Sequence, residues 1–385
     1  MAVCGSYTGD SNNPFYAQAT SGGGGLWNVN TSSDLSGLPV SYETPFMTAY
    51  QNFIKAVIAH YNGNTQTPIG YIRFGFSQGG EDSPECNQYW PNYSESTYLS
   101  YVQTMTNSVQ QQTPSMTILA DMHAVGPPGN VDYNYADTEA ADAVADQFGI
   151  GTNGLQQSDI TNFALGQPCD SDWCAEFSKY ASTVENGSPI TLSLQTLQWS
   201  DPTNVAQTGS LAPIGTFPGL IPFAQQHGAN NLELYLGDVG LAFDSSNYCN
   251  YPHDLCSTIN PSTYSGAYAQ TITSFISGGG HVQALLFPVL TSASPIYNSF
   301  LANVLPNISG VSVSMQWSQI ETSQGNYDFS SFDASLQPFI AAGKAVNLIV
   351  WPATEGGNND PNNGGSTPAY VFSTAYAAQV GATAP

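Results

Sequence analysis

Arg73 is the only arginine in the chain, and it sits inside an apolar run, Tyr-Ile-Arg-Phe-Gly-Phe at 71–76. Period-two alternation puts Tyr71, Arg73 and Gly75 on one face, opposite Ile72, Phe74 and Phe76. If the apolar set packs against helices, Arg73 points into a barrel, where a buried guanidinium needs a carboxylate partner. Glu233 in the run 231–238 is the natural one, and Asp121 and His123 alternate inward on 116–125. Trp199, Trp317, Trp351, Trp90 and Tyr235 fall at or just beyond the ends of apolar runs, where aromatic faces can stack on sugar rings. With the neighbouring Asn, Gln and Asp they suit an open groove for a neutral polysaccharide or oligosaccharide. An anionic substrate would want more cations than Lys55, Lys179, Lys344 and Arg73 provide.

The histidines form no metal-binding pattern, so neither a metal nor another cofactor is expected. Six cysteines include two short intervals, Cys169 to Cys174 and Cys249 to Cys256, which read as local disulfides and leave Cys4 to pair with Cys86. These intervals differ from the C-x2-C spacing of zinc sites. Disulfides imply an oxidising, extracellular setting, and four Asn-x-Ser/Thr sequons permit glycosylation.

The elements that must position these residues follow from composition and periodicity. The 385-residue chain has four basic against 28 acidic residues, a formal charge of −24, so nucleic acid is excluded as a partner. Only 8% of residues are charged while 41% are hydrophobic, which describes a folded protein with a polar, uncharged surface. The scarcity of bases also suggests operation in acid. No run is long and apolar enough for a membrane span, and the first residues lack the pattern of a signal peptide. A secreted monomer is the expectation.

Eight strands are predicted, at 70–76, 116–125, 149–155, 189–196, 231–238, 282–289, 311–317 and 345–352. Helical stretches precede, separate or follow them at 44–60, 97–111, 136–148, 173–183, 221–227, 266–276, 295–305 and 332–342. This alternation predicts an α/β fold, a (β/α)8 TIM barrel with long βα loops, as a single domain over 1–385. Residues 5–40 read as a long loop, and the Gly-rich stretch 277–280 as a flexible junction.

The segment 315–357 carries Trp317, Ile320-Glu321, Gly325-x-Tyr327-Asp328-Phe329 and then Gly343-Lys344-x-Val346-x-Leu348. It resembles the second-strand and third-strand region of retaining (β/α)8 glycoside hydrolases of the β-galactosidase and cellulase superfamily. In that superfamily the segment lies near the start of the barrel, whereas here it lies near the end of the chain. The resemblance therefore implies a circular permutation, with 282–289 as the first strand and 277–280 joining the former termini. It places the general acid/base on Glu81, after the fourth strand, where Gly79-Gly80 lets the backbone bend sharply. The nucleophile position, at the end of the seventh strand, is occupied by Gln195, whose neutral amide cannot form a glycosyl ester. Three explanations stand open: a Glu replaced by Gln195, Glu233 as the nucleophile, or a carbohydrate-binding barrel that does not cleave. The expected function is glycoside hydrolysis of a neutral glycan, with Arg73 holding a carboxylate ionised.

Overall fold

The computed structural model describes residues 41–42, 44–77, 94–122, 133–169, 172–185, 187–196, 215–248, 261–287, 289–353, 366–372 and 374–380. Eight strands form one closed, wholly parallel barrel: β1 Tyr71–Phe74, β2 Thr117–Asp121, β3 Gly149–Leu155, β4 Leu192–Thr196, β5 Asn231–Tyr235, β6 His281–Leu286, β7 Gly310–Gln316 and β8 Ala345–Trp351. They neighbour one another in chain order, and β8 closes against β1 through Ile72 and Leu348. Every predicted strand is present, as is the predicted TIM-barrel fold. A closed ring has no first strand, so this order is the same wherever the chain opens.

Following the register from Arg73 through β2, β3 and β4 leads to position 229 on β5. The opposite path through β8, β7 and β6 leads to position 237. The eight-residue offset is the shear of a (β/α)8 barrel. It also sorts the inward side chains into layers of four, contributed by alternate strands. Upward from the N-terminal end these are Tyr71, Gly149, Asn231 and Gly310; then Leu119, Ser193, Gln283 and Asn347; then Arg73, Gly151, Glu233 and Ser312. Above them come Asp121, Gln195, Leu285 and Ile349, then Gly75, Asn153, Tyr235 and Ser314. Most such barrels fill these layers with branched aliphatic residues, so this interior is unusually polar. The outward residues of the same strands, among them Ile72, Phe74, Leu192, Leu194, Val311, Val313, Leu348 and Val350, join the core beneath the helices.

Two glycines admit close packing inside the barrel. A Cβ at Gly149 would lie 2.5 Å from Leu119 Cδ2, and one at Gly310 would lie 2.1 Å from the Ala345 carbonyl oxygen. Only glycine fits either position.

The helical layer follows from apolar spacing. In α1, Thr44–Tyr61, Phe46, Ala49, Tyr50, Phe53, Ile54, Val57, Ile58 and Tyr61 recur at three- and four-residue intervals, and all are buried. The next helix, α2 (Glu95–Gln110), starts at Ser94, whose side chain accepts from Thr97 N at 3.1 Å. Helices α3 (Tyr133–Ala145), α5 (Trp173–Tyr180), α6 (Phe217–Gln226), α8 (Pro261–Ser277) and α9 (Ser330–Ala341) lie within or close to predicted stretches. The predicted stretch 295–305 winds through α, π and 3-10 turns between Tyr297 and Asn307. The helices that were not predicted include α4, Gln157–Ala164, and α7, Leu236–Phe243, which ends the fifth strand at Tyr235 rather than at 238.

Cys169 and Cys174 form a disulfide, with Cα atoms 5.8 Å apart, in the turn that enters α5. The expected Cys249–Cys256 and Cys4–Cys86 pairs lie outside the described residues. No helix among the described residues is long and apolar enough to cross a membrane.

Candidate functional site at the C-terminal mouth of the barrel

Arg73 is 1% exposed and Glu233 is fully buried. They face one another across the barrel with Arg73 Nη1 3.1 Å from Glu233 Oε2. This is a charge contact, with no N–H aimed at that oxygen. The guanidinium donates instead to Asn153 Oδ1 from Nη1 and to Gln195 Oε1 from Nη2, both at 2.8 Å. Asp121 Oδ1 stands 3.8 Å from Nη1 and is also fully buried. One cation thus meets two carboxylates by charge and two amide oxygens by hydrogen bond, the latter from the two terminal nitrogens of its planar fork.

Beneath this cluster, Tyr71 Oη donates to Glu233 Oε1 at 2.5 Å and lies 3.1 Å from Ser312 Oγ. Burial, followed by the neighbouring Glu233 carboxylate, pushes the Tyr71 phenol far above its ordinary pKa, so Tyr71 stays a donor at working pH. Asn231 Nδ2 donates to Ser193 Oγ at 2.7 Å and to Tyr71 Oη at 3.3 Å. A polar column of hydrogen bonds, joined by the Glu233–Arg73 charge contact, therefore runs up the barrel axis and ends at the Asn153 and Gln195 amides.

The C-terminal ends of the strands form the mouth of the barrel. Asn153 and Gln195 are register partners on β3 and β4, and each is 6% exposed. Further round the ring, Tyr235 on β5, which adjoins β4, Phe287 just beyond β6 and Trp351 on β8 are half-buried. Phe287 and Trp351 pack with ring centres 5.4 Å apart, and Trp351 Nε1 makes no hydrogen bond among the described residues. Ser314 and Gln316 on β7 complete this side. The mouth thus has an amide wall and an aromatic wall, standing over a buried charge cluster.

The predicted pairing of Arg73 with Glu233 is present, and Asp121 joins it. Tyr235 and Trp351 stand at the mouth as expected. Trp317 does not. It is fully buried outside the barrel, its ring among Phe46, Tyr50 and Phe53 of α1, and its Nε1 donates to Glu321 Oε2 at 2.6 Å. Alternation gives the reason: Ser312, Ser314 and Gln316 face inward, so Trp317 follows Val311, Val313 and Met315 outward. Glu321 of the Ile-Glu motif likewise accepts from Gly325 N at 2.6 Å and Tyr370 Oη at 3.0 Å, which closes the turn between Glu321 and Tyr327. Glu81, His123, Trp199 and Trp90 lie outside the described residues. Sequence reading passed over Asn153 and Phe287, although inward parity along β3 and beyond β6 marks both.

Among the described residues no group of three or more His, Cys, Asp or Glu side chains could hold a metal ion. No protein-family model matches the chain, and no curated protein matches it.

Proposed function

We propose that this protein is a glycoside hydrolase of the retaining (β/α)8 superfamily that it resembles between 315 and 357. It takes a neutral oligosaccharide or polysaccharide across the C-terminal mouth, at the face where such barrels carry their chemistry. The observation that carries the reading is the two-walled mouth. The apolar face of a pyranose stacks on Tyr235, Phe287 and Trp351, while its oxygens reach the amides of Asn153 and Gln195. An oxidising, extracellular compartment is supported by the Cys169–Cys174 disulfide.

Glu81 is assigned the general acid/base, on its motif. Glu233 is assigned the counter-ion of Arg73. A nucleophile must reach an anomeric carbon, whereas Glu233 is sealed in the third layer with one oxygen held by Tyr71 and the other facing Arg73. Gln195 occupies the nucleophile position of the permuted order. Its neutral amide favours a second reading, a barrel that binds the glycan without cleaving it.

Product release and binding on a panel of neutral polysaccharides, with the chain as it stands, Glu81→Gln and Gln195→Glu, separate the two. Release by the unaltered chain that is lost in Glu81→Gln supports hydrolysis. Release by Gln195→Glu alone identifies a hydrolase frame lacking its nucleophile. Saturable binding with no product in any variant supports the binding barrel, and neither binding nor product refutes both.

A further inference from the structure

Gln195 combines deep burial with an unused hydrogen-bonding end. Its Oε1 accepts from Arg73 Nη2 at 2.8 Å. Among the described residues its Nε2 has no hydrogen-bond partner, yet it is not among the sealed polar atoms, and the side chain stands near the C-terminal end of β4 with 6% of its surface exposed. The orientation is forced by chemistry: a guanidinium carries donors and no acceptor, so the amide must turn its oxygen to Arg73 and its NH2 away. Arg73 cannot yield, because Glu233, Asp121 and Asn153 hold it from the other sides.

We infer that Gln195 is a locked hydrogen-bond donor that reads a neutral oxygen acceptor of the bound sugar, with Arg73 as its positioning residue. The ligand rests on the glycan reading above; the orientation of the amide does not. The acceptor is neutral because two carboxylates surround the single guanidinium and the chain as a whole carries −24, which repels an anion. The position thus selects sugars by where they present an oxygen, a task distinct from bond cleavage.

Two measurements test this on the full chain. A joint neutron and X-ray structure of the deuterium-exchanged protein should show Oε1 of Gln195 on Arg73 and both amide deuterons directed into the mouth. A reversed amide, or Gln195 displaced from Arg73, overturns the inference whatever the ligand. Calorimetry with cellohexaose, xylohexaose, mannohexaose and laminarihexaose then compares the unaltered protein with Gln195→Met. Loss of one neutral donor should weaken the hexaose that binds by about tenfold. Should Gln195→Met fail to fold, Gln195→Glu keeps an acceptor on Arg73 while removing both donors, and the same loss is expected. Unchanged affinity overturns the donor role and leaves the glycan reading standing. Failure of all four hexaoses to bind the unaltered protein overturns the ligand assignment and counts against the glycan reading, while the neutron map still decides the orientation.

Discussion

Replacing Glu233 with leucine removes one partner of a fully buried ion pair and leaves the other in place. Arg73 is 1% exposed, so no water can replace the lost carboxylate, and the nearest remaining carboxylate among the described residues is Asp121, at 3.8 Å. Tyr71 loses its closest acceptor in the same change. Breaking such a pair costs about 3–5 kcal/mol. With an unfolding entropy of roughly 2 cal/mol/K per residue over 385 residues, that loss lowers the melting temperature by about 4–6 °C if the barrel unfolds as one unit. Glu233→Gln should cost about half as much. Its oxygen can face Arg73 while its NH2 donates to Tyr71 Oη, which can turn its own proton to Ser312, so shape and hydrogen bonds survive and only the charge assistance is lost. Arg73→Met should cost at least as much as Glu233→Leu, because Glu233 and Asp121, both fully buried, then lose the guanidinium they face. Urea titrations and thermal scans of the three variants give the order directly. A leucine variant within about 1 kcal/mol of the parent, or a glutamine variant as damaged as the leucine one, would refute the counter-ion assignment.

Other expectations follow from packing and titration. Trp317→Ala should destabilise the protein by about 3–5 kcal/mol while leaving glycan affinity per folded molecule unchanged; Trp351→Ala should do the reverse, as urea unfolding and calorimetry will tell. Asp172 is pushed up to about 6 by burial and then by the nearby Asp137 and Glu176 carboxylates. Its ionisation costs the folded state stability as pH rises from about 4 to 6, so Asp172→Asn should raise the melting temperature at pH 7 and change nothing below about pH 4. Asp244 shifts the other way. Desolvation works upward on it but is outweighed by hydrogen bonds from Ser299, Asn303, Asn247 and Ser246, which hold it at about 2. Its contribution is full above about pH 4 and fades towards pH 2, so the melting-temperature gap between the parent and Asp244→Asn should close over that window.

Strand positions were legible because side-chain alternation is strict in a sheet buried on both faces. The same alternation in Tyr-Ile-Arg-Phe placed Arg73 inside the barrel and called for an acidic partner. The expectation for Trp317 failed because its position at a strand end was given more weight than parity, which already turned that residue outward. The helix Leu236–Phe243 was hidden because Leu-Glu-Leu-Tyr-Leu continues the alternation past the point where the backbone turns helical. In the Gly-rich β3 the glycines at 149 and 151 give room to Leu119 and lie against Arg73. Asn153 drew no notice because an amide acquires meaning only from its partner, and nothing local in Gly-Thr-Asn-Gly names an arginine 80 residues earlier.

The seam between β8 and β1 has a consequence for how the chain folds. Ile72 and Leu348 are neighbours in the sheet but are separated by 275 intervening residues, so the ring cannot close until nearly the whole barrel sequence has been synthesised. Such closure weighs more on folding rate than on stability, since the entropy of joining distant ends grows only with the logarithm of their separation. Until the seam forms, Arg73 on the first strand remains wetted, and an unpaired guanidinium in water carries no penalty. During synthesis the expensive polar interior is thus dehydrated no earlier than the emergence of β8, when Glu233 and Asp121 are already within reach to receive the cation.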